Sequence, residues 1–175
     1  EQMLGICRED VIITTVCTNK WMLGTVNSFI IGISATLLAT TLGTVAALGL
    51  SRPHMPFKGV IMALLISPMI VPLIITAAGV FFFYAKLGLV GTYTGLILAH
   101  TALGTPFVVI TVTATLTGFD TNLIRASQSL GGDQITTFFK VIMPLILPGV
   151  ISGALFAFIT SFDEVVVVLF LGSVE

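Results

Sequence analysis

Charged residues are scarce in this chain, and their scarcity excludes most classes of soluble protein. Aspartate, glutamate, lysine and arginine make up 9% of the 175 residues, whereas soluble domains carry about 25%. So little charge cannot cover a water-soluble globule, and the mean hydropathy of +1.13 agrees. We therefore expect an integral membrane protein. The net charge of −1 also gives no electrostatic support for binding nucleic acid.

Three further features are rare or missing. The two cysteines, Cys7 and Cys17, have no metal-ligand residues at useful spacing, so we predict ordinary thiols and no metal site. The chain starts at Glu1, and residues 1–17 lack the basic-then-apolar layout of a signal peptide. We therefore expect it to begin inside a longer gene product. No Gly-x-x-x-x-Gly-Lys-[Ser/Thr] phosphate loop occurs, so ATP chemistry should take place on another polypeptide.

What the chain does contain is four long apolar blocks. A spanning helix needs about 20 mostly apolar residues to cross roughly 30 Å of hydrocarbon. The blocks that meet this requirement cover residues 23–50, 60–83, 93–116 and 145–171. They are too long for barrel strands of about 10 residues, and they show no alternation of polarity. We therefore predict an all-α, polytopic transmembrane helix bundle with four visible spans.

Prolines and small residues predict where the bundle bends and where it packs closely. Pro68 and Pro72 interrupt the second block and Pro106 the third, and each removes a backbone donor and favours a kink. The fourth block carries a face of small side chains, at Gly149, Gly153, Ala157 and Thr160. A neighbouring helix could approach closely along this face.

The polar connections, at residues 51–58, 86–92 and 118–144, predict the orientation in the membrane. Alternation puts the first and the third on one side. Their basic residues are Arg52, Lys58, Arg125 and Lys140, against Arg8, Lys20 and Lys86 on the other side. Under the positive-inside rule this small excess favours a cytoplasmic location for the long third connection.

Two acidic residues lie inside the fourth block, in the run Thr160-Ser161-Phe162-Asp163-Glu164. At 1.5 Å per residue they lie about 8 Å from the middle of the block, toward its outer end. A carboxylate near the bilayer centre costs on the order of 2.5–3.5 kcal/mol, so the pair should face a bundle interior or a water-filled cavity. Adjacent helical residues diverge by about 100°, so Glu164 lies over Thr160 and Ala157, while Asp163 lies beside that face.

Two roles remain open for these acids. A structural pair would be satisfied by hydrogen bonds or by a cation on another helix, but no lysine or arginine lies deep in the four blocks. We therefore favour a role on a transport pathway. For His100, the one candidate base inside the apolar blocks, we favour a structural role, because a lone histidine more often bonds a carbonyl. The candidate pathway residues are Asp163, Glu164, Thr160, Phe162 and His100.

Residues 125–149 are polar between apolar neighbours. Asp120 and Asp133 are each placed to cap a short helix, and Gly131-Gly132 supplies a tight corner between the two helices. Their apolar faces would come from Leu123, Leu130, Phe138 and Phe139. The segment is either an amphipathic loop on the bilayer surface or an element that docks to a partner in the aqueous phase.

The segment resembles a motif of the permease subunits of binding-protein-dependent ABC importers. That motif reads Glu-Ala-Ala, two residues, Leu-Gly-Ala, then Phe, an apolar residue and Leu-Pro, often followed by Pro-Gly. The chain matches it at Ala126, Leu130, Gly131, Phe138, Val141, Pro144, Pro148 and Gly149. It departs from it at the leading acid, the second alanine and the residue after the glycine, which are Arg125, Ser127 and Gly132.

Other segments resemble the spermidine/putrescine branch of that family. They are Asn27-Ser28 at the start of a span that ends Leu50-Ser51-Arg52, the Ser67-Pro68 and Val71-Pro72 pairs, and Ser161-Phe162-Asp163-Glu164. The resemblance extends over roughly residues 24–174. Because family members usually have six spans, we expect the first and last to be absent, and residues 1–175 to be one partial permease domain. Residues 118–149 would be its cytoplasmic coupling segment.

The resemblance also implies partners. A pair of separate ATP-binding subunits would hold ATP and Mg²⁺ and receive the coupling segment in a cleft, so that ATP-driven closure rocks the bundle between inward and outward openings. The residues implied in this contact are Arg125, Ala126, Ser127, Leu130, Gly131, Gly132, Asp133 and Phe138. A second permease subunit, identical or different, and a periplasmic or extracellular solute-binding protein would complete the assembly in a bacterial cytoplasmic (inner) membrane.

Acidic residues without basic ones inside the membrane favour a polyamine, or another small cation, as the transported solute. Two other classes of function remain open. A channel or ion-coupled transporter could bind a proton or cation at the acidic pair without ATP, but it has no need of residues 125–149. An intramembrane enzyme is disfavoured, because no two His, Asp or Ser residues have catalytic spacing in the blocks, apart from the adjacent acids.

Overall fold

The computed structural model describes residues 20–52, 55–118, 120 and 122–172. Its helices are α1 (Lys20–Leu50), α2 (Lys58–Ile70), α3 (Leu73–Leu87), α4 (Tyr93–Thr117), α5 (Asn122–Ser129), α6 (Gln134–Thr137), α7 (Met143–Asp163) and α8 (Val166–Leu171). A π-helical turn, Phe138–Ile142, joins α6 to α7. No strand occurs in the described residues, so the predicted all-α class is confirmed. The predictions for the two cysteines fall outside these residues.

The long helices α1, α4 and α7 pack together as the core of the bundle. Helices α1 and α4 coincide closely with the first and third predicted blocks, because both are uninterrupted apolar runs long enough to span. Pro106 lies inside α4, which nevertheless continues as one helix to Thr117. Packing against helices on both sides can hold a helix together across a missing backbone donor.

Small residues allow these three helices to approach closely. Gly104 of α4 lies between α1 and α7, where an added Cβ would be 3.4 Å from the Cβ of Ala39 and 3.0 Å from that of Ala157. At Gly43 of α1, an added Cβ would lie 2.7 Å from the Cβ of Val108. Larger side chains at these positions would force the helices apart.

The predicted narrow face of α7 packs against α4. Gly149, Gly153 and Ala157 are all buried, and an added Cβ at Gly153 would lie 2.8 Å from the Cα of Val108. This part of the prediction is confirmed. Thr160, the fourth predicted member, is only partly buried.

The second predicted span, residues 60–83, is not a single straight helix. The chain bends by 103° between α2 and α3. The break falls at Val71 and Pro72, where Val71 has an extended backbone with ψ of 135°. A residue before proline is pushed out of the helical region, and proline itself offers no N–H to the next turn. The described residues therefore contain three helices long and apolar enough to span, or four if the bent pair counts as one.

The fourth predicted span, residues 145–171, is wrong at both ends. The helical run covers Gln134–Asp163, so the preceding polar connection ends before Gln134 and not at Pro144. In the π turn, the Met143 N–H bonds the carbonyl of Phe138, five residues back. Pro144 has no N–H and follows at the point where the hydrogen-bond register changes, so the helix tolerates it.

Candidate functional site

A cavity of about 380 Å³ lies where α7 ends and α8 begins. Its volume is within the range of about 300–1,000 Å³ that is typical of small-molecule sites. The polar residues that line it are Asn27, Ser28, Thr92, Tyr93, His100, Ser161 and Glu164. Among the described residues around this cavity, Glu164 is the one carboxylate, and no lysine or arginine is present. The cavity is therefore polar and carries negative charge.

Glu164 lines the cavity at the point where the chain leaves helix α7. Helix α7 ends at Asp163, and Glu164 has an extended backbone with ψ of 102°. Its Oε1 accepts a hydrogen bond of 3.0 Å from the backbone N–H of Val167, at the start of α8. The prediction that Glu164 lies over Thr160 and Ala157 assumed one unbroken helix, whereas α7 ends at Asp163. The bond uses one carboxylate oxygen, and the negative charge stays at the cavity wall.

His100 lines the same cavity from α4. The residue is 2% exposed, and its Nδ1 lies 2.8 Å from the Oγ of Ser161, with which it shares a hydrogen bond. The expected bond to a carbonyl is therefore replaced by one to a hydroxyl. Nε2 is buried and has no hydrogen-bond partner among the described residues. Leaving such an atom unpaired costs about 1–3 kcal/mol.

The structure brings together three of the five predicted pathway residues. His100, Phe162 and Glu164 line the cavity, whereas Asp163 and Thr160 do not. Asp163 is exposed on the surface of the bundle, and Thr160 is partly buried outside the cavity. The adjacent acids therefore have different surroundings.

Sequence reasoning did not select five polar residues of the cavity as site residues, among them Ser161, Tyr93 and Asn27. Ser161 lies between two predicted ones, and Tyr93 donates a hydrogen bond of 3.0 Å to the Oδ1 of Asn27, which joins α4 to α1. Each is a polar residue inside or at the end of an apolar run, which is the signal that identified His100. The same signal could have found all three.

The predicted coupling segment forms two short helices, α5 and α6, with the expected caps. The Oδ1 of Asp120 accepts a bond of 2.9 Å from the N–H of Asn122. The Oδ1 of Asp133 accepts one of 2.9 Å from the N–H of Thr136. Hydrogen bonding by Thr136 holds the pKa of Asp133 below its ordinary value, because these bonds favour the charged carboxylate.

A glycine corner separates the two helices, as predicted. Gly131 has a left-handed backbone with φ of +83°. Its N–H donates to the carbonyl of Gln128, and the N–H of Gly132 donates to the carbonyl of Ser127, each at 3.0 Å. This pair of bonds defines a Schellman turn at the end of α5.

The segment presents an apolar, open surface. Leu130 is 89% exposed and Ile135 68% exposed. A groove of about 460 Å³ is lined by Leu123, Ala126, Ser127, Leu130, Gly132, Thr136, Lys140 and Val141. Of the predicted coupling residues, Arg125, Ala126, Leu130, Gly131 and Asp133 are exposed, whereas Ser127, Gly132 and Phe138 are partly buried. Exposed apolar groups on a glycine-hinged element are typical of a docking surface.

The bundle of long apolar helices is that of a polytopic membrane protein. The chain belongs to the family of binding-protein-dependent transport system inner membrane components, which matches residues 21–174. The predicted family and the inner-membrane location are therefore confirmed.

Individual relatives agree with the predicted branch. The chain is 34% identical over 150 residues to the spermidine/putrescine transport system permease protein PotC of Haemophilus influenzae, covering 86% of this chain and 58% of that protein. It is 31% identical to PotC of Escherichia coli, over 81% of this chain and 53% of that protein. It is also 32% identical to the osmoprotective compounds uptake permease protein GgtD of Synechocystis, over 82% of this chain and 48% of that protein. The chain thus spans about half the length of these relatives.

Proposed function

We propose that this chain is part of the permease subunit of an ATP-driven importer for polyamines or another small cationic solute. The observation that carries the proposal is the cavity at the end of α7, where Glu164 supplies a negative charge and no lysine or arginine among the described lining residues opposes it. An ammonium group gains most from a site of this kind, because the carboxylate attracts it and no neighbouring cation competes.

The names of the relatives support the same class of solute without deciding it. Two of them are named for spermidine and putrescine, and one for osmoprotective compounds. Uptake by the full-length subunit with its partner proteins should therefore be measured for a labelled polyamine in competition with neutral osmoprotectants. Competition by polyamines alone supports a cationic solute, whereas competition by neutral solutes alone would contradict it.

The energy source in this proposal is a separate pair of ATP-binding subunits that hold ATP and Mg²⁺. The exposed apolar groups of α5 and α6 support it, because a channel or an ion-coupled transporter has no use for such a surface. A second permease subunit and a solute-binding protein complete the proposed importer. The latter is implied by the family's dependence on a binding protein.

One experiment separates the roles of the two acids. Glu164→Gln removes the charge at the cavity but keeps a side-chain oxygen that can accept from the Val167 N–H. Asp163→Asn removes a neighbouring charge outside the cavity and is the matched control. We expect Glu164→Gln to lower polyamine uptake by roughly tenfold, the effect of about 1.4 kcal/mol in binding. Asp163→Asn should have a much smaller effect, and unchanged uptake in both variants would remove the pathway role.

A second experiment tests the docking surface. Gly131→Trp places a bulky ring on the corner between α5 and α6, where an added Cβ meets nothing of this chain within 4 Å. Gly88→Trp is the control, because Gly88 also has a left-handed backbone, with φ of +67°, and open space around it. We expect co-purification of an ATP-binding subunit to be lost only in Gly131→Trp. Equal retention in both variants would contradict docking at this surface.

A further inference from the structure

Two of the residues that depart from the permease motif, Ser127 and Gly132, lie directly against each other. The motif has alanine at both positions. A Cβ added to Gly132 would lie 2.8 Å from the Oγ of Ser127 and 2.9 Å from its carbonyl oxygen. Cβ atoms essentially never come so close to other heavy atoms. The glycine therefore leaves room that the serine hydroxyl uses.

This room lies where a Schellman turn usually holds an apolar contact. Ser127 is the third residue from the end of α5, and Gly132 is the second residue after the cap residue Leu130. Side chains at these two positions frequently touch. Two alanines would supply that contact through their methyl groups, whereas Ser127 and Gly132 have no methyl groups to make it.

A hydrogen bond takes the place of the missing apolar contact. The Oγ of Ser127 lies 2.9 Å from the Oγ1 of Thr137, and Thr137 is only 2% exposed. The bond joins α5 to the end of α6 across the glycine corner. An added Cβ at Gly132 would also lie 3.3 Å from this Thr137 oxygen, so it would crowd both partners of the bond.

We infer that Ser127, Gly132 and Thr137 form one positioning unit, in which the serine hydroxyl bridges the two short helices and the glycine makes space for it. The unit sets the angle between α5 and α6, and with it the shape of the groove that Ser127 and Gly132 line. The role of that groove in docking rests on the proposed function, but the packing within the unit does not. Two departures from the motif are thus one coupled change.

A double-mutant cycle in the full-length subunit tests the packing. The variants are Ser127→Ala, Gly132→Ala, their combination, and Thr137→Val. Hydrogen exchange of the backbone amides at residues 131 and 132 reports on the turn. We expect Gly132→Ala to reduce their protection by roughly 5- to 30-fold. The combination should restore most of it, because the alanine pair supplies the apolar contact, although the backbone must still shift slightly near the carbonyl of Ser127.

Thr137→Val should lower the same protection by several-fold, because it leaves the Ser127 hydroxyl without its partner. Two controls change the same residue types without touching the unit. The hydroxyl of Ser129 bonds only the carbonyl of Arg125 on its own helix, so Ser129→Ala should have little effect. At Gly118 an added Cβ would meet nothing closer than 3.9 Å, so Gly118→Ala should also have little effect. If the amides of the combined variant are no better protected than those of Gly132→Ala alone, the inference is overturned.

Retention of the ATP-binding subunit during purification tests the positioning role. Gly132→Ala should weaken retention and the combination should recover it. The variants should rank in retention as they rank in protection from hydrogen exchange. If the exchange cycle holds but retention does not follow it, the unit stabilises the turn without positioning the docking surface, and that part of the inference is overturned. If the wild-type subunit retains no ATP-binding partner, the proposed function fails, while the exchange cycle still decides the packing.

Discussion

His100 and Ser161 are joined by a hydrogen bond between Nδ1 and Oγ, 2.8 Å long, that links α4 to α7 inside the bundle. Both residues are buried and both line the cavity beside Glu164. The bond occupies one nitrogen of the imidazole ring and leaves the other without a partner among the described residues. It therefore limits rotation of the ring inside the bundle.

This bond predicts a measurable contribution to stability. Ser161→Ala would leave both ring nitrogens of His100 buried and unpaired, so we expect the free energy of unfolding to fall by about 1–3 kcal/mol. Thermal unfolding in detergent measures the effect. Ser152→Ala is the control on the same helix, because the exposed Ser152 hydroxyl bonds only the carbonyl of Pro148. Equal midpoints of thermal unfolding for the two variants would show that the hydrogen bond between α4 and α7 adds no stability.

The close contact between α4 and α7 predicts intolerance of a single methyl group. An added Cβ at Gly153 would lie 2.5 Å from the Oγ1 of Thr111 and 2.8 Å from the Cα of Val108. Gly153→Ala should therefore destabilise the bundle by about 1–3 kcal/mol, as overpacking does. Gly79→Ala in α3 is the matched control, because nothing lies within 4 Å of the added atom. A wild-type melting temperature for Gly153→Ala would contradict this packing.

The Asp133 cap predicts a pH dependence of α6. Because Thr136 holds the pKa of Asp133 below its ordinary value, the cap contributes stability at pH values above the unfolded pKa and loses it as the pH falls through the folded pKa. Hydrogen exchange of residues 134–137, corrected for the intrinsic rate, should be constant from pH 7 to about 5 and should quicken below about 4.

Asp133→Asn serves as the control for that measurement. Asparagine caps helices about as well as aspartate but does not titrate in this range. Its exchange should therefore show no added dependence on pH. The same acid-induced change in both proteins would assign the effect to another group.

The break at Pro72 predicts a short distance between the ends of the second predicted span. Spin labels at Val60 and Phe83, both exposed, would be about 35 Å apart on a straight helix. The 103° angle between α2 and α3 should reduce this distance to roughly 20–25 Å. Labels at Thr94 and Thr117 on the unbroken α4, with the same separation in sequence, should give about 35 Å. Equal distances for the two pairs would rule out the bend.

Local sequence patterns predicted the features that depend on interactions between residues close together in the chain. The caps at Asp120 and Asp133 and the corner at Gly131 were correct, because each depends on side-chain oxygens or backbone freedom within a few residues. Both ends of the fourth predicted span were wrong. Residues 165–171 are as apolar as the rest of that block, so composition gave no sign that the helix stops at Asp163.

The amino-acid sequence by itself determined that this is a membrane-embedded helical protein with a polar segment between apolar runs, because hydropathy and capping are properties of single residues and short runs. It also determined the family, through a motif whose members lie close together in the chain. Only the tertiary structure decided which acid faces the cavity. That choice depends on the α8 amide that Glu164 binds, and on His100 and Ser161, which are 61 positions apart. Contacts between residues so distant in the chain leave no periodic pattern.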